Sequence, residues 1–209
     1  MKKTQFIYVH GFNSSPSSIK AQLMERFLAE WGMEGQYLVP ELSHWPQQAM
    51  ETLEGLVKQY SDRPVVLIGS SLGGYYSTWL TERYFHVRSV LVNPAVTPYR
   101  LLEDWLGESE NLYTHEKYTL TRDHLEQLIA LDCERILRPE AYLLLTQTAD
   151  ETLDYMEGVT KFAACAKFVQ PGGSHGFEQF ENLIPSILAF AEGRIDLPEE
   201  TPIASPQSS

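Results

Sequence analysis

A serine lies between two glycines in the run Gly-Ser-Ser-Leu-Gly at 69–73. This is the Gly-x-Ser-x-Gly pattern, in which the central residue, here Ser71, is held on a sharp turn between a strand and a helix. An apolar, β-rich run at 65–68 precedes it, and apolar residues recur at helical spacing after it. A serine hydroxyl becomes a nucleophile only when a base takes its proton. The pattern therefore predicts a nucleophile at Ser71 and a base elsewhere, whereas without a base it would be a glycine-rich turn and no more.

His175 is the predicted base, because it lies in a glycine-rich loop after the last predicted strand. An acid that orients this imidazole should follow the strand at 141–146. Asp150 is the first choice, since it comes directly after that strand. Glu151 and Asp154 are the alternatives, although both could instead stabilise the first turn of the next helix.

The chemistry also needs two donors aimed at the oxygen on which negative charge develops. The backbone N–H of Leu72, directly after the serine, is one predicted donor, and the N–H of Phe12 is the other. His10 and Gly11 would form the turn that brings the Phe12 amide close. For His10 we expect a structural role, with its ring bonded to nearby backbone.

The elements that must position these groups alternate along the chain. Apolar runs predict strands at 6–9, 37–39, 65–68, 87–92, 141–146 and 167–170, with helices at 19–31, 46–60, 72–80, 121–131, 153–164 and 180–190. This alternation predicts an α/β, doubly wound, mainly parallel six-stranded sheet. All the predicted chemical groups then lie at the carboxyl ends of strands, where ligands bind in such sheets.

The chain divides into one domain and a tail. Residues 1–193 form the predicted domain, with a small cap insertion at about 95–140, and the proline-containing stretch 194–209 is a predicted flexible tail.

Composition narrows the possible partners and compartment. The 209 residues carry a net charge of −12, which argues against nucleic-acid binding, and no apolar run reaches the length of a membrane span. The apolar run near the start of the sequence is too short to form the core of a signal peptide.

The two cysteines, Cys133 and Cys165, have no paired spacing, so we expect free thiols in the cytoplasm. No histidine lies in a metal-binding motif, and we predict neither metal nor cofactor. Oligomeric state is not predicted.

The core, at about 5–192, resembles the α/β-hydrolase superfamily and, more narrowly, the small bacterial YqiA-type esterases, which are related to the YcfP-like group. The resemblance is carried by the runs His-Gly-Phe-Asn-Ser-Ser-Pro at 10–16, Gly-Ser-Ser-Leu-Gly-Gly-Tyr-Tyr at 69–76, Val-Asn-Pro-Ala-Val at 92–96 and Gly-Gly-Ser-His at 172–175. It implies a cytoplasmic serine esterase without a cofactor, acting on short acyl esters. It also implies the strand order 2-1-3-4-5-6, with the six strands numbered along the chain. Ala149 departs from the family pattern, which has a glycine before the acid.

The predicted function is therefore hydrolysis of a small-molecule carboxylic ester through Ser71, His175 and Asp150. An acyl thioesterase would use the same groups, although the acidic chain shows no basic cluster for coenzyme A. A non-catalytic protein-binding module on the same fold is a further alternative. A lipase acting at a lipid surface is less favoured, because the cap has no apolar amphipathic stretch.

Overall fold

A computed structural model describes residues 3–206 and contains one six-stranded sheet and one hairpin. The strands of the sheet, in chain order, are β1 (Gln5–Val9), β2 (Tyr37–Leu38), β3 (Val65–Ser70), β4 (Val87–Val92), β7 (Tyr142–Gln147) and β8 (Ala166–Gln170). The hairpin consists of β5 (Gly107–Glu110) and β6 (Lys117–Leu120). The sheet order is β2-β1-β3-β4-β7-β8, and all neighbouring pairs are parallel. This confirms the predicted fold class and strand order.

Helices cover both faces of the sheet because successive side chains in each strand point to opposite faces. Phe6 and Tyr8 of β1 face one core, whereas Ile7 and Val9 face the other. The first core is closed by α1 (Ile19–Glu30) and α7 (Ile184–Ala191), and the second by α2 (Pro46–Gln59), α3 (Leu72–Arg83) and α5 (Arg122–Ile129). The short helices α4 (Pro98–Leu101) and α6 (Tyr155–Lys161) complete the set of α-helices in the described part.

The segment 95–140, where a cap is predicted, contains α4, the hairpin and α5. The hairpin lies over the loop that follows β1. Leu112 N donates to Asn13 O at 3.1 Å, and the Tyr118 hydroxyl donates to Asn13 Oδ1 at 2.6 Å. The division into core and cap stays a prediction, but these bonds place the hairpin beside the loop that carries Phe12.

The stretch after α7 runs back along the edge strand β8. Val169 N donates to Glu200 Oε1 at 2.9 Å, and Ile203 N donates to Pro171 O at 3.0 Å. Ile203 also forms a parallel bridge with Gly172. Residues 207–209 of the predicted tail lie outside the described residues, and the flexibility of the tail stays a prediction.

Two further sequence expectations concern the thiols and the membrane. Cys133 and Cys165 are both free thiols. Within residues 3–206 no helix has the length and apolar character needed to cross a membrane.

Candidate active site

Ser71 occupies the single residue between β3 and α3, in a strained backbone conformation with φ 53° and ψ −119°. Its N–H donates to Val92 O of the neighbouring strand at 3.1 Å, which helps to hold the turn. The turn also requires glycine nearby: a Cβ on Gly73 would lie 1.9 Å from Val9 O. The sequence thus folds here into a tight turn that only a residue without a side chain at 73 allows.

The structure brings Ser71, His175 and Asp150 together in one hydrogen-bonded row. His175 Nε2 lies 3.2 Å from Ser71 Oγ, and His175 Nδ1 lies 2.8 Å and 3.0 Å from the two carboxylate oxygens of Asp150. Since a carboxylate can only accept, Nδ1 carries the proton and the lone pair of Nε2 faces the serine. The Asp150 side chain is 1% exposed and that of His175 is 24% exposed, so the row opens to solvent on the serine side.

The three acids after β7 have three different partners. Asp150 also accepts the N–H groups of Thr152 at 2.9 Å and Leu153 at 2.8 Å, which fix its carboxylate. Asp154 caps α6 by accepting Met156 N at 2.9 Å. Glu151 accepts His175 N at 2.9 Å and so holds the histidine loop by its backbone. Only Asp150 of the three meets the imidazole, as the sequence analysis favours.

Two polar side chains that the sequence analysis did not single out hold the histidine loop. Asn93, at the end of β4, donates through Nδ2 to Ser174 O at 2.9 Å and His175 O at 3.1 Å. Gln147, at the end of β7, accepts Ser174 N at 3.0 Å and donates to Glu178 O at 2.8 Å. Their signal in the sequence is an amide side chain at the carboxyl end of an apolar strand. In the structure, Asn93 has a left-handed φ of 41°.

The loop after β1 lies against the serine. A Cβ on Gly11 would be 3.1 Å from Ser71 Cβ, so the next residue, Phe12, is carried to the serine side. Leu72 is the first residue of α3, and its N–H therefore has no acceptor within the helix. Phe12, in the loop after β1, and Leu72, at the start of α3, thus both lie close to Ser71, and their role as amide donors stays a prediction.

His10 has both ring nitrogens bonded to backbone. Nε2 accepts Leu42 N at 3.2 Å, so Nδ1 carries the proton and donates to Gly11 O at 3.1 Å. Burial lowers the pKa of His10, which keeps the ring neutral. These contacts confirm the structural role expected for His10.

Two hollows are lined in part by residues that neighbour Ser71 and His175 in the chain. A cavity of about 40 Å³, the space of a few water molecules, is lined by Phe12, Leu72 and Tyr76 together with polar groups. A larger cleft of about 440 Å³ is lined in part by the residues that follow His175. It is bordered by Gly11, by Ser70 and by Gly176, the residue after His175.

Solved structures share this fold at low sequence identity. A putative hydrolase from Agrobacterium vitis S4 is 18% identical, with a TM-score of 0.68 over 88% of both chains. Mouse alpha/beta hydrolase domain-containing protein 10 is 16% identical, with a TM-score of 0.67 over 92% of this chain and 90% of that one. Est1E from Butyrivibrio proteoclasticus, solved with ferulic acid bound, is 14% identical, with a TM-score of 0.65 over 91% of this chain and 88% of that one.

These similarities confirm the α/β-hydrolase fold that the sequence motifs imply. The family match covers the sheet, the turn at Ser71 and the histidine loop alike. Residues 5–192 match the uncharacterised protein family UPF0227, and the chain belongs to that family.

Proposed function

We propose that this protein is a serine hydrolase that cleaves small-molecule carboxylic esters with short acyl chains through an acyl-enzyme. The observation that carries the proposal is the row of bonds from Ser71 Oγ through the His175 imidazole to the buried Asp150 carboxylate. The names of the structural neighbours, which include hydrolases and Est1E with ferulic acid bound, agree with this class of reaction.

In the first half-reaction Ser71 Oγ attacks the ester carbonyl carbon while His175 Nε2 takes the hydroxyl proton. Asp150 stabilises the imidazolium that forms and keeps Nδ1 protonated. The carbonyl oxygen becomes an oxyanion, which the N–H groups of Phe12 and Leu72 would hold. The C–O bond to the alcohol then breaks, and the leaving oxygen takes the proton from Nε2.

In the second half-reaction water replaces the alcohol. His175 Nε2 takes a proton from this water, and the hydroxyl attacks the acyl carbon bound to Ser71. The bond to Oγ breaks, the serine regains its proton from Nε2, and the carboxylic acid leaves. Every proton that moves passes through one imidazole nitrogen, so no metal or cofactor is required.

The small cavity beside Phe12 and Leu72 supports a short acyl chain, because about 40 Å³ leaves room for only a few heavy atoms. The net charge of −12 supports a small-molecule partner over nucleic acid or an anionic lipid surface. The two free thiols support a reducing compartment, which we propose is the cytoplasm.

Hydrolysis of p-nitrophenyl esters from acetate to octanoate tests the proposal, with wild type compared with Ser71→Ala. We expect kcat/KM to fall by about 10³-fold or more in this variant, since it lacks the nucleophile. Ser61→Ala, at an exposed position far from the turn, is the matched control and should keep full activity. A fluorophosphonate should label Ser71 in the wild type, as judged by peptide mass spectrometry. Equal rates in wild type and Ser71→Ala on esters and on acyl thioesters would contradict the proposal.

A further inference from the structure

The loop after β1 carries Phe12, whose N–H is proposed to hold the oxyanion. Residues 10–14 belong to no helix or strand. Within residues 3–206 no carbonyl or side chain accepts the Phe12 N–H, so its position depends on what holds the residues on either side. On one side the His10 ring bonds to Gly11 O at 3.1 Å. On the other side the support comes from the hairpin of β5 and β6.

Asn13 joins this loop to both strands of the hairpin. Its Nδ2 donates to Ser109 Oγ of β5 at 3.0 Å, and its Oδ1 accepts the Tyr118 hydroxyl of β6 at 2.6 Å. Ser109 and Tyr118 are direct partners in the hairpin register. Burial raises the pKa of Tyr118, so the phenol keeps its proton and donates. One amide side chain therefore uses both its donor and its acceptor on a single cross-strand pair.

Two contacts to carbonyl groups extend this connection. Leu112 N donates to Asn13 O at 3.1 Å, and Asn111 Nδ2 donates to Ser14 O at 2.9 Å. Asn13 has a left-handed backbone with φ 50°, a conformation that asparagine tolerates better than most residues. Hydrogen bonds of its backbone and of its side chain thus hold the residue after Phe12 in this conformation.

The hairpin depends on polar contacts for its own position. Strand β5, Gly-Glu-Ser-Glu, has no apolar residue that could pack into a core. The Tyr118 ring stacks on His44, with ring centroids 4.1 Å apart, and so connects β6 to the segment just before α2. Asn13 and Tyr118 line the same cavity of about 40 Å³ as Phe12 and Leu72. The contact between loop and hairpin therefore lies beside the two residues proposed to bind the oxyanion.

We propose that Asn13 is a positioning residue for ester hydrolysis and that its bonds to Ser109 and Tyr118 keep the Phe12 N–H aimed at the oxyanion. This rests on the proposed function and adds the element that fixes the oxyanion loop. Donors that are fixed before the reaction stabilise the developing charge without a cost of reorganisation. Loss of the support should slow the chemical steps and leave ground-state binding of the ester nearly unchanged.

Two variants remove the support in different ways. Asn13→Gly deletes the side chain but keeps a residue that readily adopts a left-handed φ. Tyr118→Phe deletes one hydroxyl and keeps the ring that stacks on His44. Tyr99→Phe is the matched control, because it deletes a hydroxyl that bonds to Asp132 instead, and it should keep wild-type kinetics.

With p-nitrophenyl butyrate we expect kcat to fall about tenfold or more in Asn13→Gly and about threefold or more in Tyr118→Phe, since a small misplacement of a reacting group is costly. Both half-reactions pass through an oxyanion, so KM should change by less than about twofold. The double variant should be about as slow as Asn13→Gly, because both substitutions remove the same contact.

A trifluoromethyl ketone separates positioning from a loss of folded protein. Ser71 Oγ adds to its carbonyl carbon while His175 takes the hydroxyl proton, and the carbonyl oxygen becomes an oxyanion like that of the proposed reaction. Titration with a fluorophosphonate gives the active fraction of each variant. We expect Ki, referred to this active fraction, to rise in Asn13→Gly by about the same factor by which kcat falls.

Wild-type kcat in folded Asn13→Gly, a lower kcat with an unchanged Ki, or a change confined to KM would each overturn the proposal. The loss of activity expected in Ser71→Ala would stand in all three cases. If thermal unfolding shows that Asn13→Gly does not fold, kcat and Ki of Tyr118→Phe decide by the same criteria. Absence of ester hydrolysis in the wild type would reject the proposed function, and this proposal with it.

Discussion

Asp150 and Asp154 lie in one loop, and they provide a matched pair of carboxylates. Asp150→Asn should reduce kcat/KM on p-nitrophenyl esters by about 10³- to 10⁴-fold, because an amide no longer holds Nδ1 in its protonated form. Asp154→Asn should keep nearly full activity and stability, because asparagine caps a helix as well as aspartate does. Steady-state kinetics and thermal unfolding of both variants check this.

A large loss of activity in Asp154→Asn with Asp150→Asn unaffected would assign the acid to the other carboxylate. Each substitution changes the net charge by the same amount, so a general effect of charge would lower both activities equally.

Single residues differ in how far the sequence reveals them. Ser71 and His175 follow from a motif and from a position after a strand, and Asp150 is favoured among three acids. The partners of Asn93, Gln147 and Glu151 could not be predicted, because they depend on which loops the sheet order brings side by side. Hydrogen bonds between residues far apart in sequence become visible only when the fold is known.

Gly73 and Gly55 are helical glycines with opposite surroundings. A Cβ on Gly73 would overlap Val9 O, which is a backbone atom and cannot move aside as a flexible side chain can. Gly73→Ala should therefore destabilise the fold by about 3 kcal/mol or more. A Cβ on Gly55 meets nothing, so Gly55→Ala should stabilise by about 0.5–1 kcal/mol through helix propensity. Urea unfolding gives both values, and equal effects of the two substitutions would contradict the close approach of β1 and α3.

A pair of histidines joins the start of α2 to α5. His44 Nδ1 lies 3.1 Å from His124 Nε2, and the His124 ring stacks on Trp45 at 3.7 Å. Burial lowers the pKa of both histidines below 6.5, while Glu116 beside His44 and Asp123 beside His124 oppose the shift. Both rings are therefore neutral at pH 7.

Acid should loosen this contact. As the pH falls below 6.5, these histidines take up protons more readily in the unfolded chain than in the folded protein. The stability that the neutral pair contributes is therefore fully present above pH 6.5 and is lost as the pH falls. We expect amide hydrogen exchange in 121–129 to accelerate between pH 7 and pH 5.5, after correction for the intrinsic rate. His44→Gln should weaken this pH dependence, whereas His115→Gln, whose side chain is 75% exposed, should leave it intact. The same acceleration in both variants would show that another group titrates.

Elements with an apolar pattern are predictable, and the hairpin shows why others are not. Strands such as β1 and β3 are predictable because buried parallel strands are short apolar runs. Strand β5, Gly-Glu-Ser-Glu, has no apolar residue. It pairs with β6 through backbone bonds and a turn in which the Asn111 side chain accepts the N–H groups of Tyr113 and Thr114. Such a strand carries no hydrophobic signal in its sequence.

At the scale of the whole molecule, the stretch after α7 covers the open edge of the sheet. Glu200→Ala removes the acceptor of Val169 N and should lower Tm by about 2–4 °C, the effect of roughly 1 kcal/mol in a chain of this size. Glu199→Ala changes the net charge equally, and its side chain is exposed, so it should leave Tm unchanged. Differential scanning calorimetry measures both, and equal Tm values for the two variants would show that the edge does not depend on this contact.

Strand order followed from the resemblance to a known family, whereas the course of residues 194–206 did not. Three prolines and a polar ending favoured a flexible tail. This stretch bonds to β8 through the Glu200 side chain and to Pro171 through the Ile203 N–H, and these isolated contacts have no periodic pattern. Pairing at a sheet edge uses backbone groups that every residue has, so composition gives little sign of it.

The distance along the chain between Ser71 and His175, 104 residues, sets an order of events during synthesis. The ribosome completes the strained turn, and the strands β1, β3 and β4 that hold it, well before it makes His175. Until β8 and the following loop emerge, the nascent chain has a serine hydroxyl with no group to take its proton. In the proposed reaction, the last third of the polypeptide therefore supplies the base for a serine that the first half has already positioned.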